Sequence, residues 1–143
     1  MTSPNRQIAE AWFRRVWAER DQSAVDELFI QDGEARGLGT EAPLGPEEFK
    51  GFHQTMLALM EDISIHIERC MEEGDWIHLL CTFRATARDG GQPVSMTGQI
   101  LARIGDGVIV EAYNHFDFIR LYEDLGLMPP ETFAKALGGQ KAF

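Results

Sequence analysis

Along the early part of the chain, apolar residues recur at spacings of three and four. Ile8, Trp12, Phe13, Val16 and Trp17 form one stripe, which predicts a helix from about Pro4 to Ala18. Pro4 suits a first helical turn and Ser3 is the candidate N-cap. Asp21-Gln22-Ser23 interrupts the stripe, and Ser23 is read as the cap of a short second helix carrying Val25, Leu28 and Phe29. Asp32 to Gly45 holds four glycines and Pro43 and reads as loop with at most a short strand. The helical period returns at Phe49, Phe52, Met56, Leu57 and Met60, after Pro46 and the dipole-favoured Glu47 and Glu48, and Asp62 ends it.

From there the period changes to two. Ile63, Ile65 and Ile67 alternate with Ser64, His66 and Glu68. Glu73-Gly74-Asp75 is a turn, and Trp76 to Ala87 is a long strand bounded by Asp89-Gly90-Gly91. Val94 to Ile104 and Val108 to Phe118 are two more strands, joined by the hairpin signal Gly105-Asp106-Gly107. A helix from about Ile119 to Leu125 stops near Gly126, and a last turn or two surrounds Phe133 and Leu137. Helices first and antiparallel strands after them argue an α+β fold, with helices on one face of a meandering sheet. In the second strand, Ile77, Leu79, Cys81 and Phe83 share one face and Trp76, His78, Leu80, Thr82 and Arg84 the other. Apolar residues on both faces call for a cover on each, which predicts a homodimer through the sheet face that the helices leave bare.

The length of 143 residues argues one domain, residues 1–143, with a core over about 5–127 and a C-terminal extension over 128–143. The formal net charge of −10 sets the chain against nucleic acid and anionic membranes as partners. No apolar run reaches a membrane span, and Thr2 to Arg15 lacks the apolar stretch of a signal peptide, so the expected location is cytoplasmic. Two cysteines, Cys70 and Cys81, make no disulfide framework. His53, His66, His78 and His115 show no metal-ligand spacing. No serine sits in a nucleophile elbow, and Gly37-Leu38-Gly39 lacks the context of a phosphate loop.

The stripe Glu111, Tyr113, His115, Asp117 puts a phenol and three titratable groups on one face of one strand. If that face looks into a pocket, a carboxyl held there exchanges protons near neutral pH, the requirement of an acid/base catalyst. A solvated pair at a strand end is the plain alternative. Trp12, Phe52 and Met56 are core residues that also furnish an apolar pocket wall. His78, Thr82 and Arg84 line the pocket on one reading and the dimer face on the other.

Four stretches carry a family likeness. These are Ser23 to Phe29, Gly45-Pro46-Glu47-Glu48-Phe49, Met71-Glu72-Glu73-Gly74-Asp75-Trp76, and Asp106 to Tyr113 followed by Asp117 and Leu125-Gly126. In that order they resemble the SnoaL-like polyketide cyclases of the nuclear transport factor 2-like superfamily. The resemblance implies a cone-shaped fold, with helices on a strongly curved antiparallel or mixed sheet that encloses a hydrophobic pocket. It also implies aldol-type ring closure or isomerisation of a small hydrophobic, polyketide-like carbonyl compound, with no metal and no cofactor. The family's catalytic aspartate corresponds by motif position to Asp117, with His115 two residues earlier as the alternative. The cyclases' Gln-x-His pair falls on Gln99-Ile100-Leu101, where Leu101 replaces the histidine. The resemblance thus gives Asp117 or His115 as the catalytic position and Gln99 as a substrate-binding one; with the residue pattern, the candidate site is catalytic Asp117 and His115, and substrate-binding Gln99, Tyr113, Trp12, Phe52, Met56 and His78. A non-catalytic binder of a small hydrophobic molecule, and an epoxide hydrolase-like enzyme using Asp117 and Arg84, are the alternatives.

Overall fold

The computed structural model describes residues 2–143; Met1 lies outside the described residues. Helix α1 spans Pro4–Trp12, and the Ser3 side chain accepts from the Arg6 N–H at its start, as its sequence position predicts. The helix does not run on as α to Ala18. Phe13–Ala18 is wound as a π-helical turn, so the same apolar stripe is kept on a wider spiral. Helix α2 covers Ser23–Leu28, with Gln22 at the N-cap position instead of Ser23. Asp21 Oδ1 takes the Ser23 N–H and hydroxyl, which uses the serine in a turn one residue too late to cap.

The chain then forms strand β1, Phe29–Arg36, in a stretch whose glycines suggest loop. Its partner explains this: β1 pairs in parallel with β5, a strand made far later in the sequence. Helix α3 is Pro46–Leu59, and Glu48 reaches back to the Gly45 N–H at 3.3 Å. It ends at Leu59, where Arg20 donates to the carbonyls of Leu57 and Met60. Strands β2 (Met60–Glu73), β3 (Trp76–Ala87), β4 (Pro93–Gly105) and β5 (Val108–Phe116) follow as antiparallel neighbours. Helix α4 is Phe118–Asp124 and helix α5 is Thr132–Leu137. The result is an α+β fold, a five-stranded mixed sheet in the order β1-β5-β4-β3-β2.

The faces of β3 divide as the alternation predicts. Ile77, Leu79, Cys81 and Phe83 are buried under the helices, and Trp76, His78, Leu80 and Thr82 lie on the outer face. Register shifts at Glu61/Ser64 and Ile67/Arg69 break the β2–β3 ladder, and another at Arg103/Ile104 breaks β4–β5. Each bulge bends its strand and sharpens the local twist. Among the described residues no helix is long and apolar enough to cross a membrane.

The inner face is filled by an aromatic cluster from the helices. Trp12 meets Phe49 at a ring-centroid distance of 5.1 Å and Phe29 edge-on at 6.1 Å. Trp17 stands edge-on to His53 at 4.9 Å. Buried His53 ties α3 to the π turn: its Nε2 lies 2.6 Å from the Val16 carbonyl, and its Nδ1 has no hydrogen-bond partner. With Nε2 protonated, the ring donates to that carbonyl and Nδ1 is a bare acceptor.

Burial holds the His53 imidazole below its ordinary value, with the Arg20 charge acting in the same direction and the Val16 bond against it. At low pH the unfolded chain therefore takes up a proton that the folded chain refuses, so stability is lost as pH falls below the ordinary value of 6.5. Asp21, Glu27 and Glu111 have lowered carboxyl pKa values and lose their contributions only below 3.8 to 4.5. Thermal unfolding between about pH 5 and 6.5 isolates the histidine. The melting temperature falls across that window in the native protein, and His53→Gln, which keeps a donor without a titrating ring, flattens the fall.

Candidate functional site

Two adjoining hollows lie between the helices and the inner face of the sheet, each about 50 Å³. Trp12, Phe13, Phe49, Ile100 and Asn114 border both. The first continues over Ile77, Leu79, Ala102 and Ala112. The second continues over Phe52, Met56, Phe116 and Phe118 and is covered by Leu38 from the β1–α3 loop. Leu38 stands between Gly37 and Gly39, both at positive φ (86° and 92°). Gly37 is held against β5: a Cβ there would fall 1.8 Å from the Asn114 carbonyl oxygen.

Apart from the indole N–H groups of Trp12 and Trp17, Asn114 is the single polar side chain of either lining. It faces inward because the β4–β5 register pairs Ala102 with Ala112, Ile100 with Asn114 and Gly98 with Phe116. Gly98 is required there, since a Cβ would meet the Phe116 ring at 2.2 Å. Asn114 Nδ2 donates to the Arg36 carbonyl at 2.9 Å, which fixes the amide across the β1–β5 seam. Asn114 is not among the residues predicted for the site, although it occupies the strand face opposite the titratable stripe. The polar member of an otherwise apolar set, Ala112-x-Asn114-x-Phe116, was the available signal.

The predicted site residues separate into three places. Trp12, Phe52 and Met56 face the hollows. His78, Gln99, Tyr113 and His115 are on the outer face of the sheet, so the stripe does not look into the interior. There, His78 Nε2 lies 2.8 Å from Gln99 Oε1. Arg103 Nε donates to Glu111 at 2.8 Å and Tyr113 OH to the same carboxylate at 3.1 Å. The Arg103 hydrogen bond holds the Glu111 carboxyl below its usual range, and Glu111 in turn raises the Tyr113 phenol. Arg84 is exposed on that same outer face, away from the hollows.

Asp117 belongs to neither face. β5 ends at Phe116, and Asp117 is the exposed N-cap of α4, accepting from the Arg120 N–H at 3.1 Å. Its own N–H donates to the Thr97 carbonyl at 3.0 Å. Its two neighbours, Phe116 and Phe118, line the second hollow, so the carboxylate stands at the rim. No group of three or more His, Cys, Asp or Glu side chains suited to a metal ion occurs among the described residues. Burial pushes the Cys81 thiol up to about 12, which leaves it inert as a nucleophile.

A family model described as SnoaL-like polyketide cyclase matches residues 7–125. Solved structures share the fold at low identity. IdmH, a candidate polyketide cyclase from Streptomyces antibioticus, is 21% identical with a TM-score of 0.76, over 85% of this chain and 98% of its own. A candidate polyketide cyclase from Acidithiobacillus ferrooxidans is 19% identical with a TM-score of 0.77, over 88% and 96%. A hypothetical protein with a ketosteroid isomerase-like fold from Catenulispora acidiphila, solved with trimethylamine, is 20% identical with a TM-score of 0.74, over 88% and 95%. No curated protein matches the chain.

The capping geometry separates two uses of Asp117. Asparagine caps a helix as well as aspartate does, whereas alanine loses about 1 kcal/mol. Asp117→Asn therefore keeps the native unfolding free energy in urea and Asp117→Ala lowers it by about that amount. Equal destabilisation by both changes would mean that the charge, not the cap, is what the fold uses.

Proposed function

Because the chain belongs to the SnoaL-like polyketide cyclase family, we propose that it takes up a small, mostly apolar, carbonyl-bearing molecule of polyketide type in the hollows under the helices, with Asn114 as the group that orients it. The observation that carries this reading is the lining: aliphatic and aromatic side chains around one amide. Ligand sites of this kind are apolar with a few placed polar groups. After the bond to Arg36, Asn114 keeps one N–H and its carbonyl oxygen for a ligand.

An amide neither takes nor gives a proton near neutral pH. Its contribution to a ring closure or an enolisation is a hydrogen bond to an oxygen that gains negative charge. The walls contribute by confining a flexible chain in a folded geometry, which substitutes for entropy otherwise lost in the reaction. The reading calls on no metal or cofactor. Hollows of about 50 Å³ are far below the roughly 300 Å³ of even a small ligand site, so entry displaces lining side chains. Leu38, on its glycine-flanked loop, and Met56, with its flexible stem, are the members most easily moved.

A second reading makes Asp117 the acid/base, with His115 beside it in sequence. Its place at the rim between Phe116 and Phe118 favours this. For the outer face we infer a second copy as the cover, since Trp76, Leu80 and Leu101 stand there among the polar residues. A cytoplasmic location with both thiols reduced fits the free Cys70 and Cys81, and the charge of −10 speaks against nucleic acid or membrane partners.

The test is a titration with 1-tetralone, a small aryl ketone, followed by quenching of tryptophan fluorescence. Binding weakens by about five- to tenfold in Asn114→Leu, the worth of one hydrogen bond, and is unchanged in Asp117→Asn. Equal binding by native protein and Asn114→Leu would overturn the orienting role. Native mass spectrometry of fresh protein then supplies the true ligand. Turnover of that ligand that disappears in Asp117→Asn would establish the second reading in place of the first.

A further inference from the structure

The two hollows share a waist and differ in what lies beyond it. Trp12, Phe13, Phe49, Ile100 and Asn114 border both and so form the waist. Beyond it, the first hollow is walled by alanine and branched aliphatic side chains, among them Ala35, Ala102, Ala112, Leu79 and Ile104, with Phe29 as its one further ring. The second is walled chiefly by rings, those of Trp17, Phe52, Phe83, Phe116 and Phe118.

The register of the sheet sets this order. Ala35 of β1, Ala112 of β5 and Ala102 of β4 stand abreast, and Ile77 of β3 continues the row. Two residues along β5 comes the row of Asn114, Ile100 and Leu79, and two further the pair of Phe116 and Gly98. Inward positions of one strand are about 7 Å apart, so the Asn114 amide stands about 7 Å from the alanine row on one side and from the base of the Phe116 side chain on the other.

Each lobe has its own chemistry. Ala9 of α1 borders the first hollow opposite the alanine row, so methyl groups face each other across it and leave a slot for a thin, flexible arm. Beyond the waist this hollow offers no polar side chain, and an oxygen carried into it would lose water without gaining a partner. The rings of the second hollow favour another ring, set edge-to-face or offset against them. The amide between the lobes meets an oxygen that has an apolar group on either side.

We propose that the ligand is an aryl alkyl ketone in outline, with its carbonyl at the Asn114 waist, a planar ring in the second hollow and an alkyl arm in the first. This rests on the reading above that the hollows take up a carbonyl compound, and adds how that compound lies.

Titration of the full chain with acetophenone, butyrophenone and hexanophenone, followed by tryptophan fluorescence, tests it. Each methylene of a buried arm is worth up to about fourfold, so hexanophenone binds at least about tenfold more tightly than acetophenone. Ala102→Leu fills the slot and cuts that gain to less than about twofold. Benzylacetone, an isomer of butyrophenone with the carbonyl moved away from the ring, binds the native protein about five- to tenfold more weakly than butyrophenone does. Circular dichroism checks the fold of the variant, and the isomer comparison needs no variant. No binding of any of these ketones would overturn the carbonyl-binding reading and this proposal with it. Binding that does not tighten with the arm, or that tightens as much in Ala102→Leu, would overturn the assignment of the lobes and leave the carbonyl-binding reading standing. Equal affinity for the two isomers would overturn the place of the carbonyl at the waist.

Discussion

Every functional statement about this protein depends on the pleat of β5. Successive side chains of a strand point to opposite faces, so a shift of one residue exchanges the interior set for the exterior set. The register is held by close packing: Gly98 leaves room for the Phe116 ring, and Ala102 opposes Ala112 where the helices press on the sheet. With those pairs inside, Asn114 must be inside too. Glu111, Tyr113 and His115 must be outside. The bulge at Arg103/Ile104 then brings Ile109 to the inner side, where it joins the lining of the first hollow.

The helices complete the interior, and the π turn is part of how they do so. Trp12 and Phe13 straddle the junction between α-helix and π turn, and both border the two hollows. Widening the spiral over Phe13–Ala18 shifts the side chains that follow around the helix axis relative to α geometry. His53 takes the Val16 carbonyl of that turn, so a polar group among the aromatic rings is satisfied from α3. The cost is a buried Nδ1 beside Trp17 that no protein donor meets.

On the proposed function, an interior of this composition would sort molecules by shape and by the hydrogen bond of one amide. The carboxylate of Asp117, between the lining residues Phe116 and Phe118, is already employed by the α4 backbone. The outer face has the richer set of titratable groups, yet they are bound to one another: His78 with Gln99, and Arg103 and Tyr113 with Glu111. Such pairs stiffen a sheet face and give a docking partner fixed polar positions. The proposed binding within and the proposed assembly without therefore use opposite sides of the same strands.

The elements that local pattern controls were legible in the sequence. The stripe from Ile8 to Trp17, the Ser3 cap, the Pro46 helix start and the alternation along Trp76 to Ala87 each depend on neighbours within a few residues, and each stands in the structure. The motif order from Ser23 to Gly126 was enough to indicate the family. What failed depended on contacts between distant residues. β1 looked like loop because its parallel partner, β5, is supplied some eighty residues later by tertiary folding. Asp117 looked like a fourth member of a strand stripe because alternation does not say where a strand stops; the α4 cap decided that. Above all, the sequence gives the two faces of β5 without saying which one the helices cover. That choice belongs to the packing of Gly98 on Phe116 and of the helix aromatics on the sheet, and it turned the candidate site from a titratable stripe into an apolar hollow with one amide.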